Sequence, residues 1–166
     1  MSETSTRVPI EDEYVWTFFG PQAEYYLERW RLRQQGRRLT FNLAAFLAGL
    51  FWFAYRRMYL VFFCLLGFLL VESMAEEAVF GEPSTASTIA ANLLFGSLYG
   101  FLGNNLYLWH AERKIRRLLA LGLPKDELLV RLRRAGGTSW VPVLVMLALL
   151  VLFIGLYFWL GQTTQG

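Results

Sequence analysis

The chain has no lysine or arginine between residues 58 and 112 or between 135 and 166; all 16 of them fall in two blocks, Arg7 to Arg57 and Arg113 to Arg134. Both bare stretches are strongly apolar and long enough to cross a bilayer. The basic blocks therefore mark the faces of a membrane, and an ordinary water-soluble fold is excluded. There is one cysteine, Cys64, inside an apolar run, which excludes an intramolecular disulfide and a multi-cysteine zinc site. The first forty residues lack an apolar segment behind a basic start, so no cleavable signal peptide is expected and the first true span serves as the insertion signal. Also missing are a nucleophile–base pairing, a Gly-rich phosphate loop and a zinc-binding helix motif. No catalytic residues, metal or cofactor are expected, and the chain reads as non-enzymatic.

What is present is apolar surface: 55% of the 166 residues are hydrophobic and only 17% are charged. The net charge of +3 is modest. Its segregation, however, gives each basic block an affinity for anionic headgroups of about 1 kcal/mol per Lys or Arg near the surface. Membrane lipids are thus expected partners. Aromatics interleave with arginines at Tyr25, Tyr26, Arg29, Trp30, Arg31 and Arg33. In a membrane protein that mixture belongs to the interface, so nucleic acid is not an expected partner.

Along the chain, residues 1–20 are expected to form a mobile N-terminal tail, since the acidic, Ser/Thr-containing start holds little apolar surface. After Gly20-Pro21, residues 21–40 have the composition of a cytoplasmic juxtamembrane helix, with Tyr26, Leu27 and Trp30 on one side. That side either dips toward headgroups or packs on the rest of the protein. From Phe41 to Val71 the apolar run is too long for one span and too short for two. Placing Arg56 and Arg57 at the cytoplasmic boundary resolves this, making 41–57 a short interfacial or re-entrant helix. The membrane domain, 58–161, then has spans at about 58–75, 86–110 and 140–160. The basic inner loop, 111–139, carries its own helix between Pro124 and Gly136, with Ser139 as N-cap of the last span and 162–166 as an outer tail. The predicted fold is all-α, three transmembrane helices with N-terminus in and C-terminus out.

Four residues of the second span, Asn92, Gly96, Gly100 and Asn104, recur every four positions and form one stripe. Small residues so spaced allow close approach by another helix, from the same chain or a second one. Asn104, Asn105, Tyr107 and His110 form a polar cluster that should face protein or water, because polar groups facing lipid are costly. His110 with Glu112 supplies too few ligands to define a metal site. Glu72, Glu76 and Glu77 lie at the outer end of the first span, as a cation or proton site or as solvated flanks. Trp52, Tyr55, Arg56, Arg57 and Trp140 are expected to anchor at headgroup level.

Several runs carry a resemblance. Tyr25-Tyr26-Leu27-Glu28-Arg29-Trp30, Phe41-Asn42-Leu43-Ala44-Ala45-Phe46 and Phe51-Trp52-Phe53-Ala54-Tyr55-Arg56-Arg57-Met58-Tyr59 resemble the hallmark of the bacterial "domain of unknown function 2628" family of small membrane proteins. Gly103-Asn104-Asn105-Leu106-Tyr107 with His110, and Gly136-Gly137-Thr138-Ser139, are similar to its downstream signatures. The resemblance covers about residues 25–140, and Leu43 departs from the aromatic usual after the asparagine. It implies a helical membrane fold in the bacterial cytoplasmic membrane and no established activity. Two functions follow as expectations. One is an accessory or scaffolding subunit that docks a protein partner or a second copy; the other is a small oligomeric transporter or lipid-handling protein.

Overall fold

The computed structural model describes residues 9–37 and 40–163, with side chains through residue 156. Among the described residues every regular element is helical. Helix α1, Asp12–Phe19, opens with Asp12 and Glu13 at its positive end and turns Val15, Phe18 and Phe19 inward. The expected tail is corrected here. Residues 12–19 are ordered because that short apolar stripe finds a partner far along the chain, in α7; residues 1–8 lie outside the described residues. Gly20 (φ 58°) ends α1, and a single 3-10 turn, Gly20–Gln22, leads into α2, Ala23–Gln34. Its buried side is Ala23, Tyr26, Leu27 and Trp30. The aromatic stripe thus packs on protein and does not dip toward headgroups.

The run expected as one interfacial helix over 41–57 is two short helices, α3 (Leu43–Ala48) and α4 (Leu50–Tyr55), broken at Gly49. Gly49 has φ 54° and ψ −131°, a backbone conformation that L-residues rarely adopt and glycine adopts freely. Asn42 caps α3 by accepting the Ala45 N–H at 3.0 Å. The pair turns Ala45, Trp52, Phe53 and Ala54 inward and leaves Leu43 and Leu47 exposed.

Three helices are long and apolar enough to cross a membrane: α5 (Tyr59–Phe80), α6 (Thr85–Leu119) and α8 (Val141–Thr163). Helix α5 continues past Ala75 to carry Glu76 and Glu77, and α6 continues past His110 to carry Arg113 through Arg117. At ~1.5 Å per residue, α6 outreaches a hydrocarbon core about 30 Å thick. Ser84 caps it, accepting the Ser87 N–H at 3.1 Å. Between α6 and α8 lies α7, Lys125–Gly136, with Asp126 and Glu127 in its first turn and Arg133 and Arg134 in its last. Ser139 does not cap α8. Its N–H donates to the Tyr55 carbonyl at 3.0 Å, and Trp140 supplies the first carbonyl of α8, to Leu144.

Burial divides the molecule in two. The core, including Val15, Phe18, Tyr26, Phe53, Met58, Tyr107, Ile115 and Leu132, sits in a headpiece of α1–α4, the second half of α6 and α7. From it project α5, the first half of α6, and α8. In the apolar windows of α5 and α8 only 6% of residues are buried, against 22% in α6.

Candidate functional site

The turn Tyr55-Arg56-Arg57-Met58 is the junction of the headpiece. Arg56, expected at the headgroup surface, is 7% exposed and lies among four aromatic rings. Its guanidinium carbon is 4.9 Å from the Tyr107 ring centroid, 5.0 Å from Tyr26, 5.7 Å from Trp52 and 5.8 Å from Tyr55. One terminal nitrogen donates to the Tyr26 hydroxyl at 2.8 Å and to the Gln22 side-chain oxygen. Burial pushes the Tyr26 hydroxyl above the ordinary phenol range, with Arg56 pulling the other way. Trp52 is likewise buried, at 4% exposed. Anchoring of Trp52 and Arg56 at the membrane surface is therefore corrected: both side chains are drawn into the protein, where ring faces offset part of the cost of taking the guanidinium out of water.

Arg57 points elsewhere. With φ 56° it adopts a left-handed backbone, and its guanidinium donates to the carbonyls of Arg134 (3.0 Å) and Thr138 (3.4 Å). Lys114 donates to Ala135 at 3.3 Å and the Tyr107 hydroxyl to Gly136 at 3.5 Å. The final carbonyls of α7 are thus gathered by two cations and a phenol, which satisfies a helix end that has no intrahelical donors left. Gly136 is essential to this geometry. A Cβ there would overlap the Phe18 carbonyl oxygen at the end of α1.

The small-residue stripe of α6 is covered by α3 of the same chain. A Cβ on Gly96 would lie 3.3 Å from the Phe46 carbonyl oxygen, one on Gly103 2.8 Å from the Ala45 Cβ, and one on Gly100 2.5 Å from the edge of the Phe41 ring. The stripe is therefore unavailable for docking a partner. Asn92, an exposed residue, takes no part in this contact. Asn104 is fully buried and links three elements. Its Oδ1 accepts from Asn42 Nδ2 at 2.8 Å, and its Nδ2 donates toward Thr40 Oγ1 at 3.1 Å and the Tyr25 hydroxyl at 3.3 Å.

The rest of the expected polar cluster does not converge on Asn104. Asn105 and His110 are half-buried, Tyr107 belongs to the Arg56 cage, and His110 Nε2 is buried with no hydrogen-bond partner. Glu112 pairs with Arg116 at 3.0 Å and Arg33 at 3.6 Å. Among the described residues no three His, Cys, Asp or Glu gather as a metal site. Trp140 is 65% exposed and packs its ring 4.9 Å from Tyr55.

What the Arg56 cage opens onto is a cleft of about 470 Å³ between α2 and α3. Gln22, Glu24 and Tyr25 form its polar wall, Leu43 and Ala44 its apolar wall, and Trp52, Asn42 and Arg56 its floor. Of these, Gln22, Glu24 and Asn42 had not been singled out from the sequence. Asn42 carried a legible signal, a capping residue before an apolar run; Gln22 and Glu24 carried none, since their place depends on α2 coming to line the same cleft as α3.

Residues 9–113 match the family described as "Protein of unknown function (DUF2628)". The chain belongs to this family. No curated protein and no solved structure matches it. The DUF2628 match begins earlier than the resemblance drawn above, taking in α1, and ends before α7. It thus covers the whole Arg56 cage and the Asn42–Asn104 link, while the Gly136-Gly137-Thr138-Ser139 run lies outside it.

Proposed function

We propose that this DUF2628 protein is a non-enzymatic accessory or scaffolding subunit of the bacterial cytoplasmic membrane, with its N-terminus and headpiece inside and its C-terminus outside. One observation carries the reading: a closely packed headpiece bears three apolar helices of which two, α5 and α8, bury almost nothing against their own chain. Between α4, α5 and α8 runs an apolar groove of about 550 Å³, lined by Leu50, Phe62, Leu66, Met146 and Leu149 among others. Helices held apart at their base present faces that a further membrane helix packs against by van der Waals contact. The orientation is supported by charge, since the basic residues of α2, the 56–57 turn, α6 and α7 all lie on the headpiece.

Native mass spectrometry of the protein released gently from its own membrane tests this. A defined stoichiometry with a protein partner or a second copy is the expected result. A lone chain retaining only lipid would remove the reading. The transporter alternative has less support, because Asn104 is fully buried and its amide is taken up by Asn42, Thr40 and Tyr25.

A further inference from the structure

We propose that the cleft between α2 and α3 is a headgroup site for a phospholipid bearing a primary amine, with Arg56 taking the phosphate and Glu24 the ammonium. This goes beyond the scaffolding reading and does not depend on it.

Arg56 is an unbalanced charge. It is 7% exposed, and among the described residues no carboxylate forms an ion pair with it. Its Nε–H is buried and has no hydrogen-bond acceptor. A guanidinium offers five donors in a planar fork, and here the partners are two phenols, Tyr26 and Tyr107, and an amide oxygen, none of them charged. Ring faces offset part of the desolvation, but they supply no counter-charge. A phosphate in the cleft that Arg56 lines would supply the missing counter-charge.

The walls then choose the source of the phosphate. Free phosphate needs no apolar wall. This cleft has one, Leu43 and Ala44, and it continues onto Leu43 and Leu47, which are 61% and 72% exposed. An amphiphile fits such a boundary, its head on α2 and its chains along α3. Glu24, exposed on the polar wall, would repel a purely anionic headgroup and attract an ammonium. Phosphoethanolamine carries both groups, joined by a two-carbon link. A volume near 470 Å³ suits a headgroup with the first carbons of its chains.

The test uses the full chain in nanodiscs holding equal phosphatidylethanolamine and phosphatidylglycerol, with retained lipid counted by native mass spectrometry. The wild type is expected to keep one phosphatidylethanolamine. Glu24→Lys, a surface change that leaves the core intact, is expected to shift the preference toward phosphatidylglycerol by about tenfold, the scale of one charge-assisted contact. Arg56→Gln, where circular dichroism shows it folded, is expected to lose both. Millimolar inorganic phosphate is expected to leave the retained lipid in place. Equal retention of the two lipids by wild type and Glu24→Lys would overturn the proposal, as would wild-type retention by folded Arg56→Gln. Displacement by inorganic phosphate would overturn the lipid as the source. If Arg56→Gln does not fold, the Glu24→Lys comparison decides.

Discussion

Arg56 shows how little a residue's type says about its place. An Arg-Arg pair after an apolar run reads as two headgroup anchors, yet one guanidinium enters an aromatic cage and the other ties down the end of α7. The glycines separate on similar detail. Gly136 faces backbone, Gly103 faces the Cβ of a helix, and Gly100 faces the far end of the half-exposed Phe41 ring, which can swing away. Alanine substitutions should therefore destabilise in the order Gly136, Gly103, Gly100. The first is expected to cost at least the roughly 1–3 kcal/mol of an overpacked core and the last much less, as read by thermal unfolding in detergent. Tyr26 supplies a pH dependence. Its hydroxyl titrates higher when folded than the ordinary 10.0, so its contribution is complete below that pH and is lost as pH rises through the folded value. Unfolding midpoints measured on either side of pH 10 should fall on the alkaline side, and Tyr26→Phe should flatten part of that fall.

At the scale of elements, the α3–α6 contact is held by a chain of amides: Ala45 N–H to Asn42, Asn42 to Asn104, Asn104 to Thr40 and Tyr25. Removing one amide leaves the other buried and under-satisfied. Asn104→Leu should cost about 1–3 kcal/mol, and the double change with Asn42→Ala should cost clearly less than the sum of the single ones. Additivity in that cycle would mean that the two side chains are not coupled. The break at Gly49 serves the same contact, since it lets α3 lie along the glycines of α6 while α4 carries Trp52 and Phe53 into the core.

The whole molecule is a basic headpiece bearing apolar helices, and this arrangement predicts sidedness. In a Cys64→Ser background, a cysteine at Ser84 should react with an impermeant maleimide added to intact cells, and one at Arg131 only after the membrane is opened. The reverse pattern would invert the proposed orientation. The weak mutual packing of α5 and α8 leaves their faces to lipid or to another chain, and the stoichiometry measurement proposed above addresses that choice.

Hydropathy and charge along the chain determined the all-α class, the three long apolar helices, and the helix bounded by Pro124 and Gly136, because these depend on composition within a window and on local turn chemistry. The tertiary structure alone decided that Val15, Phe18 and Phe19 fold into the core, that the glycine stripe is already occupied, and that Arg56 turns inward. Each of these depends on a partner dozens of residues away. Whether a short apolar stripe or a lone guanidinium is buried is set by what the rest of the chain brings against it, and no local window contains that information.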